Sequence, residues 1–346
     1  MKKYFSSVLC SNGFCCAFNT IYKKDPTAKI YIINGDDYEK AVFFSHLTKL
    51  LQGFNITLFN PFYDESTDGI YIENLNTYVL SDGGYNKLYP ILPEIWEKYI
   101  NITESKKYPT EILRQVLIQK SLEGNHYKNA CITLKKASLI KERLHGELSQ
   151  YIDEDKTVSF VHRFFSHELK NSTEKGKGEI KLLSSPTPLG FHTHYDTIFE
   201  TCQRVINIVD ENGFIGSVIT SIIKNFALKQ KISIWASPEY FNNNFFRFLV
   251  FPRKELCLCI SDTIHKLPFE AHETINASRF LVDKSILNNR KVEILSSVEK
   301  SLLEKSVMQI YEGRDERFKY NNLTNDFSNP DIAKKKAEKL AEKILN

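Results

Sequence analysis

The sequence predicts an α/β fold: two tandem parallel-sheet domains, each with its own helical appendage. Three observations carry this. The chain has 346 residues, beyond the ~250–300 at which a single hydrophobic core stops growing. The segment from Lys29 to Asp82 matches the segment from Arg204 to Asp262 in the order, type and spacing of its elements. A stretch rich in Gly, Ser, Pro and charge, "NSTEKGKGEIKLLSSPTPLG", marks a boundary near residue 178. The expected domains are residues 1–177 and 178–346.

Each copy opens on a β-branched run, "KIYIIN" or "RVINIV", which suits a buried parallel strand. A glycine follows, Gly35 or Gly213. A helix comes next, with Val42, Phe43, Leu47, Leu50 and Leu51 on one face of the first copy and Ile219, Ile222, Ile223 and Phe226 on that of the second. A second strand, "NITLF" or "KISIW", leads to an irregular segment with Pro61 or Pro238. Paired apolar runs then end at Ser81-Asp82 and Ser261-Asp262. The duplication extends outward, because "NGFCCAFNTIYKKD" parallels "PLGFHTHYDTIFET" and both halves end in charged amphipathic stretches. Residues from about 90 to 170 read as a helical insertion, "PEIWEKYI" included, and residues from about 296 to 346 read as C-terminal helices.

A strand, a glycine turn and a helix form the setting of G-x-x-x-x-G-K-[ST]. In that motif backbone amides and a helix N-terminus cradle phosphates, lysine holds the β- and γ-phosphates, and Ser or Thr binds magnesium. The octets here are "GDDYEKAV" and "GFIGSVIT". In the first, Gly35 stands while Lys40, Ala41 and Val42 occupy the second-Gly, Lys and Ser/Thr positions. In the second, Gly213 and Thr220 stand, with Gly216 inside the loop, while Val218 and Ile219 replace the Gly-Lys pair. Asp36, Asp37 and Glu39 place three carboxylates where a polyphosphate needs amides and a lysine. Asp82 and Asp262 end apolar strands, the place of a magnesium-holding carboxylate and equally of a turn former.

At these residues the chain resembles a bacterial family of tandem P-loop proteins usually labelled ATPase or ATP-binding protein and frequent in spore-forming Gram-positive bacteria. The resemblance runs through "SNGFCCAFNTIY", the strand and glycine turn, "LLQGFNITLF", "DGIYIENLNTYVLSDGG", a helical insertion and a second round. It implies a P-loop-NTPase-like fold in each half. The family carries a full G-x-x-x-x-G-K-S-T loop in each half, and here Ala41 and Ile219 stand at both lysine positions. The fold therefore carries over and the hydrolytic activity does not. The expected function is that of a non-hydrolysing pseudo-ATPase with no resident cofactor, acting on a protein partner or ligand. The alternative is an atypical protein that binds or turns over Mg-ATP, with Lys40 or Thr220 contributing.

His192, His194 and Asp196 read H-x-H-x-D and raise a third reading, a metal-dependent hydrolase, against which Thr197 stands where a further histidine is usual. Cys257 and Cys259 alternate on an apolar strand as core residues, and His162 and His167, five apart, read as solvated. Composition narrows the class. With 42% apolar and 25% charged residues the chain is globular, and its net charge of +4 spreads over 46 basic and 42 acidic residues, which gives no strong nucleic-acid signal. Seven scattered cysteines fit reduced thiols in the cytoplasm. The run before Cys10 is shorter than a secretory core, and no apolar run reaches the ~18 residues of a membrane span.

Overall fold

The computed structural model describes residues 1–18, 25–104, 106–170, 176–240 and 245–346. Residues 19–24 of the first flanking repeat and 171–175 of the expected boundary lie outside the described residues. The two β-branched runs form the inner strands β4 (Lys29–Asn34) and β12 (Arg204–Val209) of two six-stranded sheets. The first sheet has the order β1 (Lys2–Phe5), β5 (Ile56–Asn60), β6 (Gly69–Ile72), β7 (Thr77–Ser81), β4, β8 (Glu97–Asn101). The second repeats it as β9 (Gly178–Ile180), β13 (Ile234–Pro238), β14 (Phe246–Phe251), β15 (Leu256–Ser261), β12, β16 (Glu273–Asn276). A two-stranded hairpin follows the first strand of each sheet, β2 (Ser7–Cys10) with β3 (Gly13–Cys16), and β10 (Ser184–Thr187) with β11 (Gly190–Thr193).

The sheets are mixed, which corrects the expectation of parallel sheets. β6 and β14 run antiparallel to both neighbours, and every other pairing is parallel. The reason is local. A single 3-10 turn links each antiparallel strand to the next and ends on a left-handed residue, Asn76 (φ 44°) or Glu255 (φ 48°), so the chain doubles straight back. The segment "PEIWEKYI" differs too. Glu94 takes a left-handed φ of 61°, which breaks a helix at its start, and residues 97–101 add an edge strand beside β4. Glu97 is buried there because its carboxylate accepts the amides of Ile91 and Leu92.

Alternation along the strands builds four layers. Ile30 and Ile32 of the first sheet share one core with Val205, Cys257 and Cys259 of the second, so the sheets pack face to face. Tyr31 and Ile33 point the other way, onto helix α1 (Asp37–Leu50). Ile206, Ile208, Leu256 and Leu258 point onto the equivalent helix of the second half. Numbered in chain order, the remaining helices are α2 (Thr110–Ser149), α3 (Glu154–Glu168), the short α4 (Tyr195–Thr201), α5 (Phe214–Lys229), α6 (Arg290–Asn325) and α7 (Pro330–Leu345).

The appendages exchange partners. Helix α7, which ends the second half, covers α1 of the first through Ala333, Ala337, Leu340, Ala341 and Ile344. Helix α3, which ends the first half, packs on α5 of the second through Phe160, Val161 and Phe164. The long helices α2 and α6 run antiparallel along each other, since Glu123 meets Arg317, Thr133 meets Gln309 and Lys141 meets Glu299. Close approach requires a glycine there, because a Cβ at Gly313 would stand 2.5 Å from the Tyr127 ring. Among the described residues no helix is long and apolar enough to cross a membrane.

The exchange has a measurable signature. Leu340→Ala removes a fully buried side chain from the core of the first half and is expected to cost ~2–5 kcal/mol in denaturant titration. Hydrogen exchange should accelerate in α1 and β4, two hundred residues or more away in sequence, before it does in β12.

Candidate functional site

The glycine turns after β4 and β12 sit where a parallel strand hands over to a helix, the place at which such sheets bind ligands. In both halves the chain supplies its own anion to the helix N-terminus. Asp36 caps α1, its Oδ1 accepting the Glu39 amide at 2.8 Å. Asp210, buried at the end of β12, accepts the Gly216 amide on Oδ2 at 2.7 Å, inside the loop expected to cradle phosphate. Each carboxylate thus takes an amide that a phosphate oxygen would need.

A cation from the opposite half then closes each loop. Arg317, on α6 of the second half, reaches the first loop. It meets Asp37 Oδ2 at 2.6 Å and Glu123 at 3.0 Å, and its guanidinium lies 4.0 Å over the Tyr63 ring. Lys141, on α2 of the first half, reaches the second loop. Its ammonium pairs with Glu299 at 3.1 Å and would stand 2.9 Å from a Cβ on Gly213. Gly213 holds φ at 64°, so the glycine gives both the left-handed turn and the room for Lys141. Burial works against the Lys141 charge, yet Glu299, Glu239 and Asp262 outweigh it and raise its pKa. Burial raises Asp37 as well, but Arg317 and Lys40 prevail and hold it at about 2.

The three carboxylates of the first loop are therefore compensated. Lys106 pairs with Asp36 and lies 2.8 Å from Glu39, which also accepts the Asn329 amide. Lys40 donates to the Asp82 carbonyl at 3.2 Å and pairs with Asp37 at the same distance. Gly35 is needed for packing, since a Cβ there would come within 2.6 Å of Ile102. In the second loop Gly216 packs on Ile260, Ile219 lies in the core, and the buried Thr220 hydroxyl donates to the Phe246 carbonyl at 2.9 Å.

The strand-end carboxylates organise turns. Asp82 Oδ1 accepts the Gly83 and Leu88 amides, and Asp262 Oδ1 accepts those of Ile264 and His265. Asp262 also anchors a buried network. Arg247 bonds Asp262, Glu239 and the Ile260 carbonyl at 3.0–3.1 Å, and His265 links Asp262 at 3.0 Å to the Tyr240 hydroxyl at 3.0 Å. Burial raises the Asp262 pKa, but Arg247 and His265 overcome it and hold the group well below the usual range. The Asp-His-Tyr chain is no nucleophile relay, because Tyr240 is buried and its pKa is pushed far up by burial.

His192 and His194 have ring centroids 5.1 Å apart, and Asp196 follows at the surface. Among the described residues no group of three His, Cys, Asp or Glu side chains is placed to hold a metal ion. All seven cysteines are free.

Sequence reasoning missed Arg317, Lys141, Glu123, Glu299 and Asp210. A signal for four of them exists. In both long helices a glutamate precedes a cation by eighteen residues, five helical turns, so the pair shares a face. No protein-family model, curated protein or solved structure matches the chain.

Arg317→Met leaves Glu123 and Asp37 facing each other and is expected to cost ~3–5 kcal/mol in denaturant titration, part of it recovered by adding Glu123→Gln. The folded pKa of Asp37, about 2, lies below its ordinary 3.8. Its stabilising contribution is thus complete above about pH 4 and lost as pH falls through about 2. The deficit of Arg317→Met should be largest above pH 4 and narrow toward pH 2. A constant deficit would contradict the assignment of the ion pair.

Proposed function

We propose that this chain is a duplicated P-loop-NTPase-like protein of the cytoplasm that does not hydrolyse nucleotide and acts by binding a partner or ligand. One observation carries the reading. Both helix N-termini that would receive a polyphosphate are filled from within, by Asp36 and Asp210, and crossed by Arg317 and Lys141 from the opposite half. An anion entering either loop displaces a carboxylate that already holds the amides. Ala41 and Ile219 offer it no lysine in return. The same cations tie the two halves together.

A second reading, a nucleotide held in an unusual pose, draws support from a cavity of about 510 Å³ beside the first loop, where Lys40, Lys120 and Arg317 converge. Asp37, Asp82 and Glu123 line the same cavity and offset that charge.

Thermal unfolding with and without Mg-ATP separates the two. A ligand present at one hundred times its Kd raises stability by ~2.7 kcal/mol. No shift is expected at about 5 mM Mg-ATP. A shift of several degrees, lost in Lys120→Ala, would overturn the reading that both loops are closed to polyphosphate and assign the nucleotide to the cavity beside the first loop.

A further inference from the structure

The duplication that matches Glu123 of α2 with Glu299 of α6 also carries Ile118, Leu122 and Ile132 onto Ile294, Val298 and Met308. All six side chains are 40–65% exposed. Each helix already turns an apolar stripe inward, through Tyr127 and Leu134 in α2 and the matching Leu303 and Ile310 in α6. A helix that covers one core needs a single such stripe. Here both long helices carry a second one, at the same positions and on the outer side, where no described residue covers it.

Contacts across the pair fix its antiparallel register, since Glu123 meets Arg317, Tyr127 lies against Gly313 and Lys141 meets Glu299. That register brings Ile132 level with Met308, Lys128 with Glu312 and Lys136 with Glu304. Each of these four charges stands four residues from Ile132 or Met308, one turn along the same side. Between residues 128 and 136, α2 exposes Lys128, Lys135 and Lys136 and no carboxylate. The span of α6 beside it exposes Glu304 and Glu312 against Lys305, with Glu312 held 3.0 Å from His126. The centre of the face is thus apolar, basic along one helix and acidic on balance along the other.

Such a face is complementary to itself. A two-fold axis parallel to the helices lays α2 of each copy antiparallel on α6 of the other. Ile132 then meets Met308, Lys128 meets Glu312 and Lys136 meets Glu304, and each contact is made twice. The other two-fold arrangement, α2 on α2, sets Lys128 on Lys136 and Glu304 on Glu312 and is repulsive. The size suffices as well. The 36 residues of α6 span ~54 Å, and two helices side by side are ~20 Å wide. The footprint of ~1,000 Å² exceeds the ~800 Å² per partner of a stable interface.

We propose that the outer face of α2 and α6 binds a second copy of this chain, the two helix pairs stacking into a four-helix interface. The test is sedimentation equilibrium of the full chain over about 1–100 µM. The mass is expected to rise toward twice the 40.1 kDa of one chain. Two charge reversals, Lys128→Glu with Lys136→Glu and Glu304→Lys with Glu312→Lys, are each expected to weaken self-association about tenfold or more. An equimolar mixture of the two variants is expected to restore it, because every reversed helix then faces the opposite charge. A wild-type chain that stays monomeric overturns the proposal. So does a dimer that survives either double reversal, which places the contact elsewhere, or a mixture that associates no better than its components. If a reversal variant fails to fold, Met308→Glu takes its place at the centre of the face and is expected to leave monomers, and an unweakened dimer overturns the assignment. Monomers that bind duplex DNA and release it in the α2 reversal would assign the lysines to nucleic acid and overturn the choice of a second copy. None of these substitutions touches a residue that closes a glycine loop, so the result stands apart from the one with Mg-ATP.

Discussion

Two buried ion pairs hold the molecule together, Glu123 with Arg317 and Lys141 with Glu299. They lie five turns apart along one antiparallel helix pair and are related by the duplication. Each cation crosses from its own half into the loop of the other, where it also meets Asp37 or the Gly213 turn. The arrangement places charge in the interior, which is costly unless each group is paired. Asp36 and Glu39 share Lys106, and Asp262 has Arg247 and His265. The helix pair cannot shift register without leaving several of these groups unpaired. The ion pairs therefore fix the relation of the two halves.

The duplication also shows that this strand, turn and helix hold together without a bound polyphosphate. A strand, a turn and a helix pack through Tyr31, Ile33, Phe43 and Leu47, or through Ile206, Ile208, Ile219 and Ile223, none of which lies in a glycine turn. The turn itself needs only a capped helix N-terminus. An aspartate caps it as well as a phosphate does, and does so permanently. Ile219 serves the core in place of a charge.

How far the sequence was legible follows from what kind of information each feature needs. The β-branched runs and the repeat of strand, glycine and helix are periodic and local and sit where the pattern put them, and the helix faces do so except at Leu50 and Ile222, which are exposed. The direction of β6 and β14 was not legible. It depends on single left-handed residues, Asn76 and Glu255, neither of them glycine. The strand 97–101 was missed because its few residues, read together with the helix that follows, mimic a helical face. Lys141 and Arg317 were out of reach for a different reason, since each acts more than seventy residues from its own position. Only the eighteen-residue spacing, present twice, hinted at them. The H-x-H pattern drew attention to residues that line a cavity where the halves meet. His192 and His194 line a cavity with Asn60 rather than a metal site.

The exchange of terminal helices sets a timetable for synthesis. The second half's covering helix, α3, is made before the strands it protects. The first half waits for α7, the last helix in the chain, nearly three hundred residues after α1 is complete. At ~5–20 residues per second that is roughly 15–60 s during which Phe44, Leu47 and the outer face of the first sheet lack their cover. The two halves are alike in architecture and opposite in birth order. The older half waits longest for its cover.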